Sequence, residues 1–315
     1  MLIALTVLTL LVLAASIRYG AIDFSVAQIS RALASLFPGQ PEPTLDQRIF
    51  LELRFPRAIM CLLVGASLGV GGTLMQALFR NPIVEPGLVG TSSGAAFGSA
   101  LFFVLGGVLS TYLVFLLARA KEDSRASIVM LLLTGLAVNA LFMSAIGFLQ
   151  YIARDPQARS ITFWSLGTLS GASWKAVEIV SISTIAGALV ALRYAKQLNA
   201  LMIGEEEATY LGVNVNRLKW IILSVNVVIV AVATAFTGVI SFVGLIVPHI
   251  LRMIGGADNR YLIVASALTG ATLLTLADLL ARMVVRPAEL PIGIVTSAVG
   301  VPVFIFLLRR RRYVF

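Results

Sequence analysis

Residues 58–79 read AIMCLLVGASLGVGGTLMQALF, an uninterrupted run of 22 residues without a charged side chain. At about 1.5 Å of rise per residue, a helix of this length crosses the roughly 30 Å hydrocarbon core of a lipid bilayer. Because backbone amides in hydrocarbon have no water to bind, the run has to form an α-helix that satisfies its own hydrogen bonds. It therefore predicts a membrane-spanning helix. Its small residues, which let neighbouring backbones approach closely in lipid, are Gly65, Ala66, Ser67, Gly69, Gly71 and Gly72.

The composition extends this prediction to the whole chain. Of its 315 residues, 59% are hydrophobic and 12% are charged, whereas soluble globular chains have about 45–50% and about 25%. A soluble fold of this size could not bury so much apolar surface. We therefore expect an all-α, polytopic membrane protein in which residues 1–315 form a single transmembrane domain. The single cysteine, Cys61, excludes a disulfide scaffold.

The net charge of +9 is distributed as in a membrane protein rather than a nucleic-acid-binding protein. Most basic residues lie between apolar runs, and residues 309–312 are four consecutive arginines directly after the last run. Under the positive-inside rule, such a cluster is a cytoplasmic membrane anchor. We therefore expect membrane lipid as a partner and no nucleic acid.

Apolar segments predict about ten transmembrane helices. They are residues 2–17, 58–79, 87–105, 108–117, 126–152, 176–194, 220–240, 241–254, 261–283 and 292–308. Segment 241–254 is interrupted by Gly244 and Pro248, so we expect a short or kinked span there. An even count places the N-terminus and the four final arginines on the same, cytoplasmic side of a multi-pass membrane protein.

One region is too short for this topology. Residues 87–119 number 33, whereas two spans and a turn need more than about 40 residues. Either the helices there are short and partly buried by neighbouring helices, or roughly a dozen residues of the native chain are absent from this sequence.

The sequence contains no pattern of catalytic side chains. None of its lysines follows a glycine, so the Gly-Lys pair of a phosphate-binding loop is missing. The single histidine, His249, has no neighbouring histidine or cysteine with which to bind a metal, and we interpret it as a helix-end or packing residue. We expect no catalytic residue, no metal site and no cofactor bound by this chain.

An ion-coupled secondary transporter is the main alternative from another functional class. Such carriers need ionisable groups inside the membrane as an ion relay. Only Glu178 and Asp278 fall within predicted spans, each near an end, and Asp278 has Arg282 one turn later, the spacing of a simple ion pair. The scarcity of intramembrane acids argues against this alternative. The missing nucleophiles and bases argue against a membrane enzyme.

Residues 204–212, GEEEATYLG, predict a short helix at the cytosolic surface. Three acids in its first turn complement the helix dipole, and Gly212 is placed to end the helix. Ala208 and Leu211 would share an apolar edge, which suits docking into the groove of a partner protein. The alternative interpretation is a solvated amphipathic connector.

Four arginines break the inside-positive trend on the other side of the membrane. Arg54 and Arg57 precede the second predicted span, Arg282 lies at the end of the ninth, and Arg286 follows it. Either an acidic partner or the lipid headgroups could bind them there.

Several sequence blocks carry a family resemblance, and five of them span residues 54–293. In order along the chain they are RFPR at residues 54–57, QALFRNP at 76–82, EPGLVGTSSGA at 85–95, GVISFVGLIVPHILR at 238–252 and ELPIG at 289–293. They resemble the permease subunits of type II ABC importers, the family that handles ferric siderophores, haem and vitamin B12. The chain departs from the family's pattern at Asn259, where histidine is more frequent, and in the short region of residues 87–119.

The resemblance implies a permease that imports an iron chelate, either haem or a ferric siderophore, by alternating access. Vitamin B12 is the alternative substrate. The resemblance also implies a homodimer whose translocation path lies on the two-fold axis. Two copies of a separate ATP-binding cassette subunit, which use ATP and Mg²⁺, would dock on the cytosolic side. A periplasmic substrate-binding protein would dock on the other side.

The same resemblance implies roles for individual residues. The coupling helix that contacts the ATPase would fall at about residues 204–217. Its contact residues would be Gly204, Glu205, Glu206, Glu207, Ala208, Leu211 and Gly212. Arg54, Arg57 and Arg282 match positions that face glutamates on the binding protein. For the wall of the translocation path we expect Gln76, Ser92, Ser93, Gly94 and Phe242.

Overall fold

The computed structural model describes residues 1–20, 22–37, 42–89 and 124–309, without the side chains of residues 124–132 and 308. Within these ranges every regular element is a helix, as expected of an all-α protein. The α-helices are α1 Leu2–Arg18, α2 Val26–Ala34, α3 Leu45–Ile49, α4 Phe55–Phe79, α5 Ser124–Ile152, α6 Asp155–Ser165, α7 Trp174–Arg193, α8 Ala195–Ile203, α9 Glu205–Tyr210, α10 Val215–Thr237, α11 Val243–Gly255, α12 Asn259–Met283 and α13 Ile292–Arg309. A π-helical turn, Phe50–Arg54, joins α3 to α4, and a 3₁₀ turn covers Pro86–Val89.

Most of the predicted spans are helices in the structure. Those long and apolar enough to cross a membrane are Leu45–Phe79, Leu133–Ile152, Trp174–Arg193, Val215–Thr237 and Asn259–Met283. Shorter apolar helices are Leu2–Arg18, Val243–Gly255 and Ile292–Leu307. The predicted segments 87–105 and 108–117 fall, beyond Val89, outside the described residues, so the count of ten stays a prediction.

Helix α4, which contains the apolar run of residues 58–79, passes through the centre of the bundle. It packs against α1, α7, α10, α11 and α12, and nearly all of its second half is buried. It meets α12 where Gly65 faces Gly270, and it meets α11 where Gly72 faces Gly244. A Cβ atom at Gly65 or Gly72 would overlap the backbone of the facing glycine, so the helices can approach this closely only because these side chains are absent.

Hydroxyl pairs add polar contacts between the packed helices. The two oxygens of each pair lie 2.7–2.8 Å apart in Thr9–Thr272 between α1 and α12, Ser67–Thr184 between α4 and α7, and Thr73–Ser266 between α4 and α12. An unpaired hydroxyl is costly in an apolar interior. These pairs therefore favour one register of each helix against its neighbour.

Helix α11 is the short, interrupted span that the sequence predicts. It has 13 residues and contains Pro248. The chain before it leaves the helical conformation, with φ angles of 71° at Gly238 and 70° at Phe242. Nε2 of Gln76 on α4 donates a hydrogen bond to the carbonyl oxygen of Leu245 at 3.0 Å. The N-terminus of α11 therefore lies beside the last turns of α4, inside the bundle.

Candidate functional site

Two sites predicted from the sequence lie at opposite ends of α12. Near its C-terminal end are the residues that we call the arginine cluster: Arg54, Arg57, Arg282, Asp278 and Glu289. Near its N-terminal end is the coupling segment, residues 204–217, reached through α8. A 25-residue α-helix at about 1.5 Å per residue is roughly 37 Å long, so the two sites are separated by about a membrane thickness.

Asp278 is the centre of the arginine cluster. Nε and Nη2 of Arg57 donate to its Oδ1 at 3.0 and 2.9 Å, and Nη1 of Arg57 donates to both carboxylate oxygens of Glu289 at 3.0 and 2.8 Å. Arg282 forms a second ion pair with Asp278, with Nε 2.8 Å from Oδ2. This pair confirms the one-turn spacing predicted from the sequence. Because Arg57 lies on α4, Asp278 also joins α4 to α12.

The side chains of Arg54 and Arg282 point into the protein. Nη2 of Arg54 donates to the carbonyl oxygen of Ile22 at 2.8 Å, and Nη2 of Arg282 donates to Oγ of Ser16 at 2.8 Å. Arg54 is 9% exposed and Arg282 is 3% exposed. Direct contact of either side chain with a partner protein or a lipid headgroup would require it to leave these bonds. Sequence position alone placed both side chains at the surface, and the structure corrects that placement.

The accessible part of the cluster is the Arg57–Glu289 pair. The side chain of Arg57 is 14% exposed and that of Glu289 is 36% exposed. The sequence analysis quoted Glu289 within the ELPIG block without giving it a role. The acid immediately before a Leu-Pro pair, close after two arginines, was the available signal. Arg286, which the sequence placed nearby, lies 3.7 Å from Asp23 at the surface.

The coupling segment contains two helices separated by a tight turn. Helix α9 ends at Tyr210 and α10 begins at Val215, so the short helix predicted over residues 204–212 is α9, and the wider range 204–217 also includes the turn and the start of α10. Gly212 has a φ of 81°, which side chains disfavour, and Val213 N–H donates to the carbonyl oxygen of Ala208 at 2.9 Å. Gly212 therefore ends α9, as the sequence predicts.

The two apolar residues of the coupling segment have different environments. Ala208 is fully buried against the bundle, whereas Leu211, which follows the last helical residue, is 66% exposed. The predicted shared edge of Ala208 and Leu211 is therefore wrong, because Ala208 faces the bundle while Leu211, whose N–H still donates to the carbonyl oxygen of Glu207, is turned outward. Tyr210, which sequence analysis did not select, is 88% exposed beside Leu211. Their exposed apolar surface lies at the end of α9.

The acids of α9 also divide into two groups. Both carboxylate oxygens of Glu205 accept from Nζ of Lys219 on α10 at 2.8 Å. Glu206 and Glu207 are exposed. The Glu205–Lys219 pair and the burial of Ala208 connect α9 to the bundle, while the exposed acids, Tyr210 and Leu211 remain available to a partner.

Helix α8 connects the coupling segment to the start of α12. Nδ2 of Asn199 donates to Oδ1 of Asp258 at 2.8 Å, and Oδ1 of Asn199 accepts from Nδ2 of Asn259 at 2.8 Å. Asn259, the residue that departs from the family's pattern, thus joins α8 to α12. Hydrogen bonds from the Arg260 guanidinium hold the pKa of Asp258 well below its usual range.

Two of the predicted wall residues of the translocation path, Gln76 and Phe242, lie among the described residues. Gln76 is buried beside α11, and its Oε1 accepts no hydrogen bond from any described residue. Phe242 precedes α11, and its N–H donates to Oε1 of Glu85 at 2.8 Å. Its ring lies against Gly300 and lines an apolar cavity of about 390 Å³ among α11, α12 and α13. Ser92, Ser93 and Gly94 lie outside the described residues.

Comparisons with known proteins agree with this architecture. Residues 8–310 match the model of the FecCD transport family. The hemin transport system permease protein HmuU of Yersinia pestis is 42% identical over 283 residues, which cover 84% of each chain. The cobalamin import system permease protein BtuC of Halobacterium salinarum is 38% identical over 283 residues, covering 85% of this chain and 75% of the relative.

A solved structure extends the agreement to three dimensions. A metal-chelate type ABC transporter in an inward-facing conformation superposes with a TM-score of 0.85 at 32% identity, covering 98% of both chains. The chain therefore belongs to the FecCD transport family, as the multi-pass membrane permease of a type II ABC importer.

Proposed function

We propose that this permease imports an iron chelate, haem or a ferric siderophore, across the bacterial inner membrane into the cytoplasm by alternating access. The observation that carries the choice of substrate is the 42% identity with the hemin permease over 84% of both chains. Vitamin B12 is the second candidate, favoured by the 38% identity with a cobalamin permease. Ion-coupled secondary transport is the alternative from another class.

The working unit in this proposal is an assembly. Two copies of the chain, each a single domain of residues 1–315 with both termini in the cytoplasm, enclose the path on their two-fold axis. Two separate ATPase subunits bind ATP and Mg²⁺, and this chain binds no cofactor. A periplasmic substrate-binding protein delivers the chelate. In alternating access of this kind, the permease contributes two stable helix packings, and the ATPases supply the energy that switches between them.

The coupling segment is the proposed contact with the ATPases. The exposure of Tyr210 adds this residue to those selected from the sequence. The selected residues are Gly204, Glu205, Glu206, Glu207, Ala208, Leu211 and Gly212. The exposed acids and the Tyr210–Leu211 surface suit a groove with apolar and basic walls. Buried Ala208 and the Glu205–Lys219 ion pair would transmit movement of α9 to α10.

The arginine cluster is the proposed contact with the binding protein. Arg57 is the residue placed to meet a carboxylate of the partner, since its guanidinium reaches the surface beside Glu289. We assign Arg54 and Arg282 a supporting role. Arg54 binds the carbonyl group of Ile22 in the loop after α1, and Arg282 binds Ser16 near the end of α1, so these bonds hold that part of the chain next to Arg57.

Gln76 and Phe242 are the proposed wall residues within the described part of the chain. They lie on either side of the α4–α11 contact, where Gly72 meets Gly244 without intervening side chains. A closely packed contact of this kind has few intermediate arrangements, so it favours two discrete states over continuous deformation. Ser92, Ser93 and Gly94 keep the same assignment from the sequence.

Uptake by reconstituted vesicles tests this proposal. The permease, its ATPase and its binding protein are assembled in liposomes, and uptake of haem, a ferric hydroxamate and cyanocobalamin is measured separately. We expect uptake of an iron chelate that requires ATP and both partners and that persists when an uncoupler removes the ion gradients. Uptake that stops with the uncoupler, or proceeds without ATP, would replace the proposal with an ion-coupled carrier.

A further inference from the structure

A basic cleft of about 550 Å³ lies beside α9, between the end of α7, the first turns of α8 and the start of α10. Its charged lining residues are Arg193, Lys196 and Arg217, and no acidic residue in the part of the chain that the structure describes lines it. Within the described ranges, none of these three side chains lies within 4.0 Å of a carboxylate, whereas nearby Lys219 is paired with Glu205. The cleft thus concentrates positive charge that the described part of the chain does not neutralise, which favours an anionic ligand.

The cleft lies at the level of a membrane surface. Arg193 is the last residue of the apolar helix α7, and Arg217 is in the first turn of the apolar helix α10. Trp220, one turn further along α10, is exposed, and Tyr194 lines the cleft. Basic and amphipathic aromatic residues at the ends of apolar helices are typical of the headgroup region of a bilayer.

An apolar surface leads from the hydrocarbon region to the cleft. Leu189, one turn before Arg193 on the same face of α7, is exposed, and so is Leu192. Ala200, Leu211 and Val213 add apolar side chains to the wall of the cleft. A phospholipid can therefore lay its acyl chains along α7 and place its phosphate among the three cations. A soluble anion would use only the charged part of this surface.

We propose that the cleft binds the phosphodiester headgroup of an anionic phospholipid from the leaflet on the α9 side. Because Leu211 and Gly212 also line the cleft, the bound lipid contacts the residues that end α9 and restrains the coupling segment. The identification of this leaflet with the cytosolic one, and of α9 with the ATPase contact, rests on the proposed function. The binding of lipid at the cleft does not.

Native mass spectrometry of the full-length permease tests this site. The delipidated protein is titrated with phosphatidylglycerol or with phosphatidylcholine of the same acyl chains, and bound lipids are counted. We expect phosphatidylglycerol to bind more tightly than phosphatidylcholine. The variant Arg193→Gln, Lys196→Gln, Arg217→Gln should bind phosphatidylglycerol about tenfold more weakly or worse, since each basic residue near the surface adds to the attraction of an anionic lipid.

A matched control separates the cleft from overall charge. The variant Arg154→Gln, Arg159→Gln, Lys175→Gln removes the same charge from exposed positions outside the cleft, and its lipid binding should equal that of the parent. Thermal unfolding in detergent checks that both variants fold.

Several results would overturn the proposal. One is unchanged phosphatidylglycerol binding in the cleft variant, and another is equal binding of the two lipids by the parent. Displacement of the lipid by millimolar inorganic phosphate would make the cleft a site for a soluble anion. Weaker binding of the ATPase by the cleft variant, with lipid binding unchanged, would make it a protein-binding surface. All measurements except the last use the permease alone, so failure of the transport proposal would leave their outcome intact.

Discussion

The two ends of α12 use charged residues in opposite ways. At the arginine cluster, Asp278 is buried and paired with two arginines, so its charge connects helices within the protein. At the coupling segment, Glu206 and Glu207 are exposed, and among the described residues only Glu205 forms an ion pair there. Removing one partner of a buried pair leaves an uncompensated charge, whereas exposed pairs contribute little to stability. Substitutions at the first end should therefore affect folding, and substitutions at the second should affect coupling.

The largest effect is expected for Asp278→Ala. This substitution leaves Arg57 and Arg282 without their shared carboxylate inside the protein, which should lower the free energy of unfolding by about 3–5 kcal/mol. Thermal unfolding of the purified permease in detergent measures the loss. Glu178→Ala, which removes an exposed acid from α7, is the matched control and should melt like the parent. Equal melting of the two variants would mean that the buried pairs contribute no net stability.

The coupling segment should show the reverse behaviour. Replacing Tyr210 and Leu211 together by alanine removes exposed apolar surface only, so stability should change by less than about 0.5 kcal/mol. If this surface enters a groove of the ATPase, transport per ATP hydrolysed should fall by about tenfold, the loss expected when interface anchors are truncated. Uptake and hydrolysis measured in the same vesicles give this ratio.

An equally exposed tyrosine provides the control for this experiment. Tyr151 at the end of α5 is 87% exposed, compared with 88% for Tyr210. Tyr151→Ala should leave coupling unchanged. If the Tyr210 and Leu211 variant also transports normally, the exposed face of α9 has no role in coupling, and the contrast between the two ends of α12 is lost.

A smaller effect is expected where the arginine cluster reaches the surface. Glu289 occupies Nη1 of Arg57 in the free permease, and a carboxylate of the binding protein would compete for the same group. Glu289→Gln should therefore strengthen docking by about two- to fivefold, in keeping with the modest strength of exposed ion pairs. The gain should shrink at high salt because exposed charges are screened.

The affinity of the substrate-binding protein for immobilised permease, determined at two salt concentrations, measures this change. Arg57→Glu should weaken docking in the same assay, and because Arg57 is also a partner of buried Asp278, the affinity is measured on protein that thermal unfolding shows to be folded. Glu42→Gln, which breaks the exposed pair with Arg48, is the control and should have no effect on docking. Unchanged affinity in both the Glu289 and Arg57 variants would mean that the Arg57–Glu289 pair holds α4 against the loop before α13 and takes no part in docking.

The sequence predicts the parts of the fold that depend on local chemistry. The charge-free run of residues 58–79 is α4, and the segment broken by Gly244 and Pro248 is the short helix α11. Gly212 ends α9 because the chain needs a left-handed φ there, and the position of a glycine after the helical residues already predicts this end. Each of these features is determined by residues within a few positions of one another.

The sequence does not predict features that depend on distant residues. Arg54 donates to a carbonyl group 32 positions away, and Arg282 to a hydroxyl 266 positions away. Both arginines lie near the ends of predicted spans. That position indicates how deep each residue lies in the membrane, but it does not indicate the direction in which the side chain points. Leu211 was misplaced for a different reason, since side chains three positions apart on a helix differ by about 60° in direction, which here separates buried Ala208 from exposed Leu211.

The smallest effect is expected for the Glu205–Lys219 ion pair, which connects α9 to α10. Lys219→Gln removes the contact with Glu205, in which both side chains are about one quarter exposed. Because buried Ala208 and the turn at Gly212 still hold α9, stability should fall by less than about 1 kcal/mol and coupling by less than about twofold. Arg260→Gln, which breaks an exposed pair with Asp258, is the control for loss of one surface pair. A much larger loss of coupling in Lys219→Gln, with stability unchanged, would show that movement of α9 reaches α10 through this ion pair. The surface charges of the coupling segment would then connect helices as those of the arginine cluster do.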